Sequence, residues 1–346
     1  MSMREIGADK FAFGCHRFGF GPAPGGGAVD VERHVVPMVK AALGLGIRTF
    51  DSAVLYRATW QLGRALEILG VRAEEVRFQT KCLRYLGMAG EGVKEHQPEA
   101  LLTGIPGRYL GLTDRWDTSE RGVEQQICRE RIELGGGNLH GVALHDPPDM
   151  EKQVGLDWER DIRPAVACLE RAKGLGFVER IGLGIKAPEF VHRFVKEEPG
   201  VLDYAGVTFC PAILGEMMGV IEAARVGKFT VTLMGINYGQ AFTLTEDPAG
   251  AAPFLYNYEV ATGAERELMS RFYRACGSTP LLHLAAAVAG LLVVNFPEVV
   301  TQVVTSTMTP GRVVETVRLV REAEVPAMVW RELKEMELIP REFPTT

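Results

Sequence analysis

Short apolar runs of the β type alternate with helical patterns along most of the chain, and this alternation restricts the fold more than any other feature. It favours parallel strands joined by crossover helices. Eight candidate strands are found: one near Phe13–Phe18, then Gly46–Phe50, Val76–Lys81, Gly141–His145, Glu179–Gly184, Tyr204–Phe209, Thr230–Gly235 and Val299–Thr305. Eight such strands predict an α/β fold, a (β/α)8 barrel of the TIM type.

Helical patterns fill the spaces between the strands. The predicted helices are Val31–Leu45, Trp60–Leu69, Ser119–Leu134, Arg160–Leu175, Glu189–Glu197, Leu214–Arg225 and Gly311–Glu324. Barrels of this size form one unit, so we expect residues 1–346 to be a single domain. Two stretches are longer than the connections that a minimal barrel needs, Leu83–Trp116 and Tyr238–Thr262. Because both follow strands, they predict long loops at the C-terminal rim.

Composition and charge exclude several classes of protein. The chain is 47% hydrophobic and 24% charged, and its net charge of -6 comes without a Lys/Arg cluster, which argues against a nucleic-acid partner. The most apolar stretch, Leu281–Val294, is too short to span a bilayer and predicts a buried helix. Six widely spaced cysteines predict neither a metal site nor disulfides, and a cytoplasmic location fits them best. Monomer and homo-oligomer both stay open.

Four polar or ionisable residues fall at or just after the predicted ends of three strands. Asp51 and Tyr56 follow the second strand, Lys81 ends the third, and His145 ends the fourth. Because the carboxyl ends of parallel strands meet at one mouth, we expect these side chains to converge. Taken singly, each is more often a cap, a rim aromatic, a solvated lysine or a core histidine, so only the set of four indicates chemistry.

Together the four residues suit proton transfer beside a hydride transfer. A phenol with a pKa of about 10 is a weak acid, and a neighbouring ammonium such as that of Lys81 favours its ionised form. A buried carboxylate at Asp51 would hold that ammonium in place. His145 would orient a carbonyl oxygen and stabilise its developing charge.

The same residues lie in segments that resemble the aldo-keto reductases. Gly46-Ile-Arg-Thr-Phe-Asp51-Ser-Ala-Val-Leu-Tyr56, followed by Leu62-Gly63-Arg64-Ala65-Leu66, is similar to the family's second-strand signature. Thr80-Lys81 and Leu144-His145-Asp146 match its third and fourth strand ends in order. The resemblance implies that Asp51, Tyr56, Lys81 and His145 form the catalytic tetrad, with Tyr56 as the acid and base.

Two further segments extend the resemblance toward the C-terminus. The run "KGLGFVERIGLG" at Lys173–Gly184 is similar to the family's passage into strand five. Pro326-Ala-Met-Val-Trp330-Arg-Glu-Leu333 resembles the tail of the sugar dehydrogenase branch, the fucose or threo-aldose 1-dehydrogenases. The resemblance therefore implies hydride transfer between a nicotinamide cofactor and an aldose, aldehyde or ketone.

The resemblance also indicates where the cofactor would bind. The adenosine phosphate end is expected after strand eight, at a helix N-terminus, because free amides and the helix dipole attract anions. The matching positions are Ser306, Thr307, Arg312 and Glu315, while Asn237 and Gly239 resemble a stretch along the pyrophosphate. Family members that prefer NADP carry a lysine where this chain has Ser306, so NAD is the preferred cofactor and NADP the alternative.

Several positions depart from the family pattern at the nicotinamide pocket. Lys186 stands where the family has an asparagine that would hold the nicotinamide carboxamide. It is interpreted equally well as a surface lysine at the start of a helix. The stacking tyrosine after strand six is replaced around Pro211, which leaves Phe209 or Phe20 to cover the ring. Aromatic residues that form plausible cleft walls are Trp60, Tyr109, Trp116, Tyr256 and Tyr258.

Two other functions remain as alternatives. A cofactor-independent lyase or isomerase would use Lys81 for a Schiff base, or Tyr56 and His145 for proton shuttling next to a carbonyl. Lys186 and the missing stacking tyrosine favour it. A binding module that senses nicotinamide redox state is the third hypothesis, and the intact tetrad argues against it.

Overall fold

The computed structural model describes residues 6–19, 29–88, 112–257 and 259–345. Eight parallel strands close into a barrel, which confirms the predicted (β/α)8 fold. Around the barrel their order is β1, β2, β3, β6, β7, β8, β9 and β12. In chain order the strands are β1 Phe11–Gly14, β2 Thr49–Asp51, β3 Arg77–Cys82, β4 Arg84–Met88, β5 Leu112–Trp116, β6 Gly141–His145, β7 Ile181–Ile185, β8 Tyr204–Thr208, β9 Thr230–Met234, β10 Leu255–Tyr256, β11 Glu259–Val260 and β12 Val300–Thr305.

Helices surround the barrel. They are α1 Val36–Gly44, α2 Thr59–Ile68, α3 Glu120–Glu133, α4 Pro147–Val154, α5 Arg163–Gly174, α6 Glu189–Glu197, α7 Leu214–Gly227, α8 Gly263–Cys276, α9 Leu281–Asn295, α10 Pro310–Glu322 and α11 Ala327–Glu335. A π-helical turn precedes α1 at Val31–Val35, and another precedes α5 at Trp158–Ile162. Each turn begins at an aspartate, Asp30 or Asp157, whose side chain accepts a hydrogen bond from a backbone amide.

The hydrophobic core lies between the barrel wall and the helices. Side chains alternate along each strand, so that Val142 and Leu144 of β6 point outward into this layer and are fully buried. Helix α9 is almost wholly buried, as predicted for Leu281–Val294. Within the described residues, no single helix is long and apolar enough to cross a membrane. In the described ranges, α8 and α9 meet those criteria when they are taken together across a bend of 86°.

The bounds of the first two predicted strands differ most from the structure. The first was expected near Phe13–Phe18, but β1 ends at Gly14, and a 3-10 turn at His16–Phe18 follows. This turn places the Phe18 ring against Phe13, with the ring centroids 5.5 Å apart. The apolar residues from Phe13 to Phe18 therefore resemble a strand in the sequence, although the second half of the segment is a turn. The second strand begins at Thr49 because Gly46, with φ of 81°, belongs to the turn that ends α1.

Strand pairs, rather than bare loops, are present within both predicted rim stretches. Strands β4 and β5 form an antiparallel hairpin directly after β3, in the stretch Leu83–Trp116. Strands β10 and β11 pair in the stretch Tyr238–Thr262. The hairpin places Arg84 at the barrel mouth, by which we mean the C-terminal ends of the barrel strands.

Candidate active site

The structure brings the four side chains of the predicted tetrad together at the barrel mouth. Asp51 is the last residue of β2, Lys81 lies in β3 and His145 ends β6. Tyr56 lies in a 3-10 turn, Val54–Tyr56, immediately after β2. Each side chain therefore comes from the end of a strand or from the turn that follows it, as in other barrel sites.

Asp51 and Lys81 form a buried ion pair. Lys81 Nζ donates to Asp51 Oδ1 at 2.5 Å and to the Ser52 carbonyl oxygen at 2.7 Å. The two side chains are only 4% and 11% exposed, for Lys81 and Asp51 respectively. Burial raises the pKa of Asp51, and the Lys81 ammonium opposes that rise. Gly184 makes room for the lysine, since a Cβ there would lie 2.7 Å from Lys81 Cδ.

Tyr56 and His145 face each other across the mouth. The Tyr56 hydroxyl lies 3.5 Å from His145 Nε2, and the rings meet edge to face at 88°. Lys81 Nζ is 5.5 Å from the centroid of the Tyr56 ring. The lysine therefore acts on the tyrosine through its charge at short range.

His145 is a neutral hydrogen-bond donor in this arrangement. Burial, followed by the charges of Lys81, Arg84 and Lys186, holds the pKa of His145 well below its usual range. Nδ1 is buried and has no hydrogen-bond partner within the described ranges, whereas Nε2 faces Tyr56 and lies 3.7 Å from Asp146 Oδ2. The acceptors around Nε2 favour the tautomer with the proton on Nε2.

A network of four charges adjoins His145. Lys186 Nζ lies 2.8 Å from Asp149 Oδ2 and 3.7 Å from Asp146 Oδ2. Arg84 Nη1 lies 3.4 Å from Asp146 Oδ2 and 3.5 Å from Asp149 Oδ2. Burial lowers the pKa of Lys186, but the two aspartates outweigh it and raise the pKa. Lys186 is only 20% exposed, so its interpretation as a surface lysine is wrong.

The sequence analysis missed Arg84 and Asp149, because no barrel strand carries either residue. Arg84 begins the hairpin and Asp149 lies on α4. Residues just beyond the site's strand ends also adopt left-handed backbone: Arg57, Leu83 and Asp146, with φ of 53°, 82° and 45°. Such conformations are uncommon for residues other than glycine and concentrate at functional sites.

The predicted phosphate segment follows β12. Ser306 Oγ donates to the Gly14 carbonyl oxygen at 2.8 Å, and Thr307 Oγ1 accepts from the Thr309 amide. Arg312 and Glu315 are exposed on the first turns of α10. The Thr309 side chain makes no capping hydrogen bond to α10 in the described part of the chain. Pro310 has no amide proton and the Arg312 amide donates to the Thr309 carbonyl oxygen at 3.0 Å, so among the described residues the Gly311 amide is left available to an anion at this helix end.

Asn237 and Gly239 lie in the turn after β9. Asn237 Oδ1 is buried, and no described residue donates a hydrogen bond to it. Gly239 has φ of 80°, a conformation that glycine adopts without strain. Tyr238, between them, packs against Tyr256 with ring centroids 4.8 Å apart. An orphaned buried acceptor and an uncapped helix end fit a dinucleotide, whose amide and phosphates complement them.

Some predicted wall residues lie elsewhere. Phe209 is fully buried in the core and does not cover a ligand ring, because it follows β8 on its outward side. Tyr256 is also buried against Tyr238. Trp60 is 55% exposed on α2, and the Trp116 indole donates to Gln153 Oε1 at 3.1 Å beneath the Arg84 guanidinium. Phe20, Tyr109 and Tyr258 lie outside the described residues.

Comparison with known sequences gives the family. The sequence model of the Aldo/keto reductase family matches residues 13–203, which is more than half of the chain. The chain belongs to this family. The matched region contains Asp51, Tyr56, Lys81 and His145, and the resemblance in the sequence is thus confirmed.

Among curated proteins, the chain is similar to a D-threo-aldose 1-dehydrogenase of a Pseudomonas species, at 26% identity over 189 residues. That alignment covers 51% of this chain and 54% of the relative, so the chain spans about half the length of this relative. The match agrees with the sugar dehydrogenase branch indicated by the C-terminal segment.

Solved structures of the family share the fold. A Bacillus halodurans aldo-keto reductase, in its holo form, superposes with a TM-score of 0.65 at 14% identity, covering 99% of both chains. The Gluconobacter oxydans glycerol dehydrogenase has the same TM-score at 15% identity, covering 97% of this chain and 94% of its own. These identities show the fold alone.

Glu130 of α3 has a buried carboxyl group that lies next to the candidate active site. Its Oε2 accepts hydrogen bonds from Thr59 Oγ1 at 2.8 Å and from Thr80 Oγ1 at 2.5 Å. Burial raises the pKa of Glu130 to about 7, although both threonine hydrogen bonds lower it. The carboxyl therefore binds its proton more tightly in the folded chain than in the unfolded chain.

The free energy of unfolding should consequently fall as the pH rises from about 4.5 to about 7. Glu130→Gln keeps an acceptor for both threonines and removes this slope. We expect the variant to match the wild type at pH 5 and to be more stable by about 3 kcal/mol at pH 8, as measured by urea unfolding. Glu133→Gln, on the same helix, is the matched control and should keep the wild-type slope. An unchanged slope in Glu130→Gln would show that the carboxyl titrates normally.

Proposed function

We propose that this chain is an NAD(P)-dependent oxidoreductase that interconverts a carbonyl and an alcohol in an aldose, a small aldehyde or a ketone. The observation that carries the proposal is the joint placement of the Asp51–Lys81 ion pair and the Tyr56–His145 contact at one barrel mouth. Membership of the Aldo/keto reductase family and the similarity to an aldose dehydrogenase support it.

The proposed chemistry depends on a proton at the Tyr56 hydroxyl. In reduction, Tyr56 donates its proton to the carbonyl oxygen as charge develops there, and the Lys81 ammonium stabilises the phenolate that remains. His145, through its Nε2 proton, orients the same oxygen. In oxidation, Tyr56 accepts the hydroxyl proton, which would suit a sugar hemiacetal.

A nicotinamide cofactor, when bound, supplies or accepts the hydride. The uncapped start of α10 and Arg312 suit its phosphates, and the buried Asn237 Oδ1 suits an amide or hydroxyl donor. Ser306 carries no charge, and its hydroxyl is already bonded to the Gly14 carbonyl. These features favour NAD over NADP, with Arg312 as the side chain able to pair a 2′-phosphate.

Titration of the purified protein with NADH and NADPH tests the cofactor assignment. Quenching of tryptophan fluorescence should saturate with both, with NADH bound more tightly. Arg312→Ala should weaken NADPH binding about 10-fold and NADH binding less, because only NADPH brings the extra phosphate charge. Arg318→Ala, further along α10, is the control. Absence of binding for both cofactors would remove the basis for a redox function.

The lyase or isomerase alternative is less well supported. A Schiff base requires a neutral, available amine at Lys81, yet this amine donates to the Asp51 carboxylate and to the Ser52 carbonyl. Borohydride trapping in the presence of an aldose would capture an imine if one formed. The six unpaired cysteines also lead us to propose a cytoplasmic location.

A further inference from the structure

His16 stands beside the tetrad and has no role in the chemistry described above. It begins the 3-10 turn His16–Phe18 after β1. Its ring lies edge-on to Tyr56, with centroids 6.0 Å apart and an interplanar angle of 67°. Nδ1 lies 3.0 Å from Ser306 Oγ. The ring therefore forms part of the wall against which a ligand of Tyr56 must bind.

The hydrogen bonds of Ser306 determine which nitrogen of His16 carries the proton. The Ser306 hydroxyl has one proton, and the Gly14 carbonyl oxygen, 2.8 Å away, can only accept it. Ser306 Oγ must then accept from His16, so the ring proton is on Nδ1. The other nitrogen, Nε2, carries a lone pair. It makes no hydrogen bond to a described residue and is not enclosed.

The charge state of the ring agrees with this assignment. Burial, followed by the charges of Arg17 and Lys81, lowers the pKa of His16 to about 3. The ring is neutral over the working range of most enzymes, and Nε2 stays an acceptor. The nearby groups at the mouth are different, because Lys81, Lys186 and Arg84 are donors and His145 offers its Nε2 proton.

We propose that His16 Nε2 accepts a hydrogen bond from a hydroxyl group of the ligand bound against Tyr56, so that His16 selects polyhydroxylated ligands over simple carbonyl compounds. The inference rests on the proposed oxidoreductase function. A carbonyl or carboxylate cannot satisfy Nε2, since neither donates a proton, whereas a hydroxyl can. The hydroxyl belongs either to the substrate or to the ribose of the cofactor.

Hydroxyacetaldehyde and propanal test the substrate source, because they differ by a hydroxyl in place of a methyl group. His16→Asn keeps a donor near the Nδ1 position and removes Nε2, whereas His16→Gln places a polar atom near Nε2. We expect His16→Asn to lower the kcat/KM ratio of hydroxyacetaldehyde to propanal about 10-fold. His16→Gln should retain most of the ratio. His16→Phe, which keeps an aromatic ring, should repeat the loss if His16→Asn fails to fold.

Cofactor affinity tests the ribose source. A ribose hydroxyl predicts that the Kd of NADH or NADPH rises about 10-fold in His16→Asn and returns to the wild-type value in His16→Gln. The kcat/KM ratio of hydroxyacetaldehyde to propanal should then stay constant in both variants. If neither the ratio nor the Kd changes, the proposal is wrong.

Nitrogen NMR separates failure of this inference from failure of the proposed function. The His16 ring should show a protonated Nδ1 and a bare Nε2 that does not titrate down to pH 5. If the wild type reduces neither aldehyde, the oxidoreductase function fails, and the NMR experiment still decides about His16. A shift of the Nε2 signal with hydroxyacetaldehyde or NADH, but not with propanal, would support the hydroxyl contact. No shift with any of the three would overturn it.

Discussion

Tyr56→Phe should lower kcat about 1000-fold while leaving the Kd of the nicotinamide cofactor within about twofold. The substitution removes one hydroxyl, the group that lies 3.5 Å from His145 Nε2. Without it, the charge that develops on the carbonyl oxygen has no proton donor, because His145 is held neutral by burial and by the cations around it. The ring itself stays, so the contacts with His16 and His145 are retained.

Steady-state rates with an aldose and an aldehyde, together with a fluorescence titration of NADH, measure both parts of this expectation. Tyr273→Phe is the matched control: it deletes a hydroxyl on α8 that donates to the Thr245 carbonyl oxygen at 3.5 Å and not to a residue of the tetrad. That variant should keep wild-type rates. Retained turnover in Tyr56→Phe would mean that another group protonates the oxygen, and Tyr56 would lose its assigned role.

The sequence predicts the bounds of secondary structure best where a strand is buried on both faces. The apolar run of β6 was predicted with its observed bounds, and so was the amphipathic helix α6. The ends of β1 and β2 were not, because Phe18 and Gly46 belong to turns that apolar periodicity does not detect. Helix α8 was also missed. It lies beyond a rim stretch and begins at a capping box formed by Thr262 and Glu265.

The four residues of the tetrad were predictable because the end of a parallel strand determines where its side chain lies. Groups that reach the mouth from outside the barrel strands were not predictable in this way. Arg84 comes from a hairpin and Asp149 from a short helix. The ion pairs that Asp149 forms with Arg84 and with Lys186 depend on three-dimensional packing. The sequence did not indicate His16, because the predicted first strand begins two residues after the observed one and so includes His16.

Asp51 and Lys81 should be strongly coupled in their effect on stability, and a double-mutant cycle can measure this coupling. Lys81→Met removes the cation and leaves a carboxyl in a site whose burial already raises its pKa. We expect a loss of about 3–5 kcal/mol in the free energy of unfolding near pH 8. The loss should shrink toward pH 5, because the unpaired carboxyl then takes up a proton and is no longer charged. Asp51→Asn leaves the buried Lys81 ammonium without its carboxylate partner and should also destabilise the fold.

Combining the two changes should largely restore stability, because Asp51→Asn/Lys81→Met leaves no buried charge at either position. Replacing both members of a buried pair is often neutral, whereas removing one is costly. Activity should be lost in Lys81→Met and in the double variant, since both lack the cation beside Tyr56. Urea unfolding at pH 5 and pH 8 measures the stability of the four proteins. If the double variant were as unstable as the sum of the single variants, the two groups would not be coupled. If it were stable and active, the ammonium would serve only to pair with the Asp51 carboxylate and would not assist Tyr56.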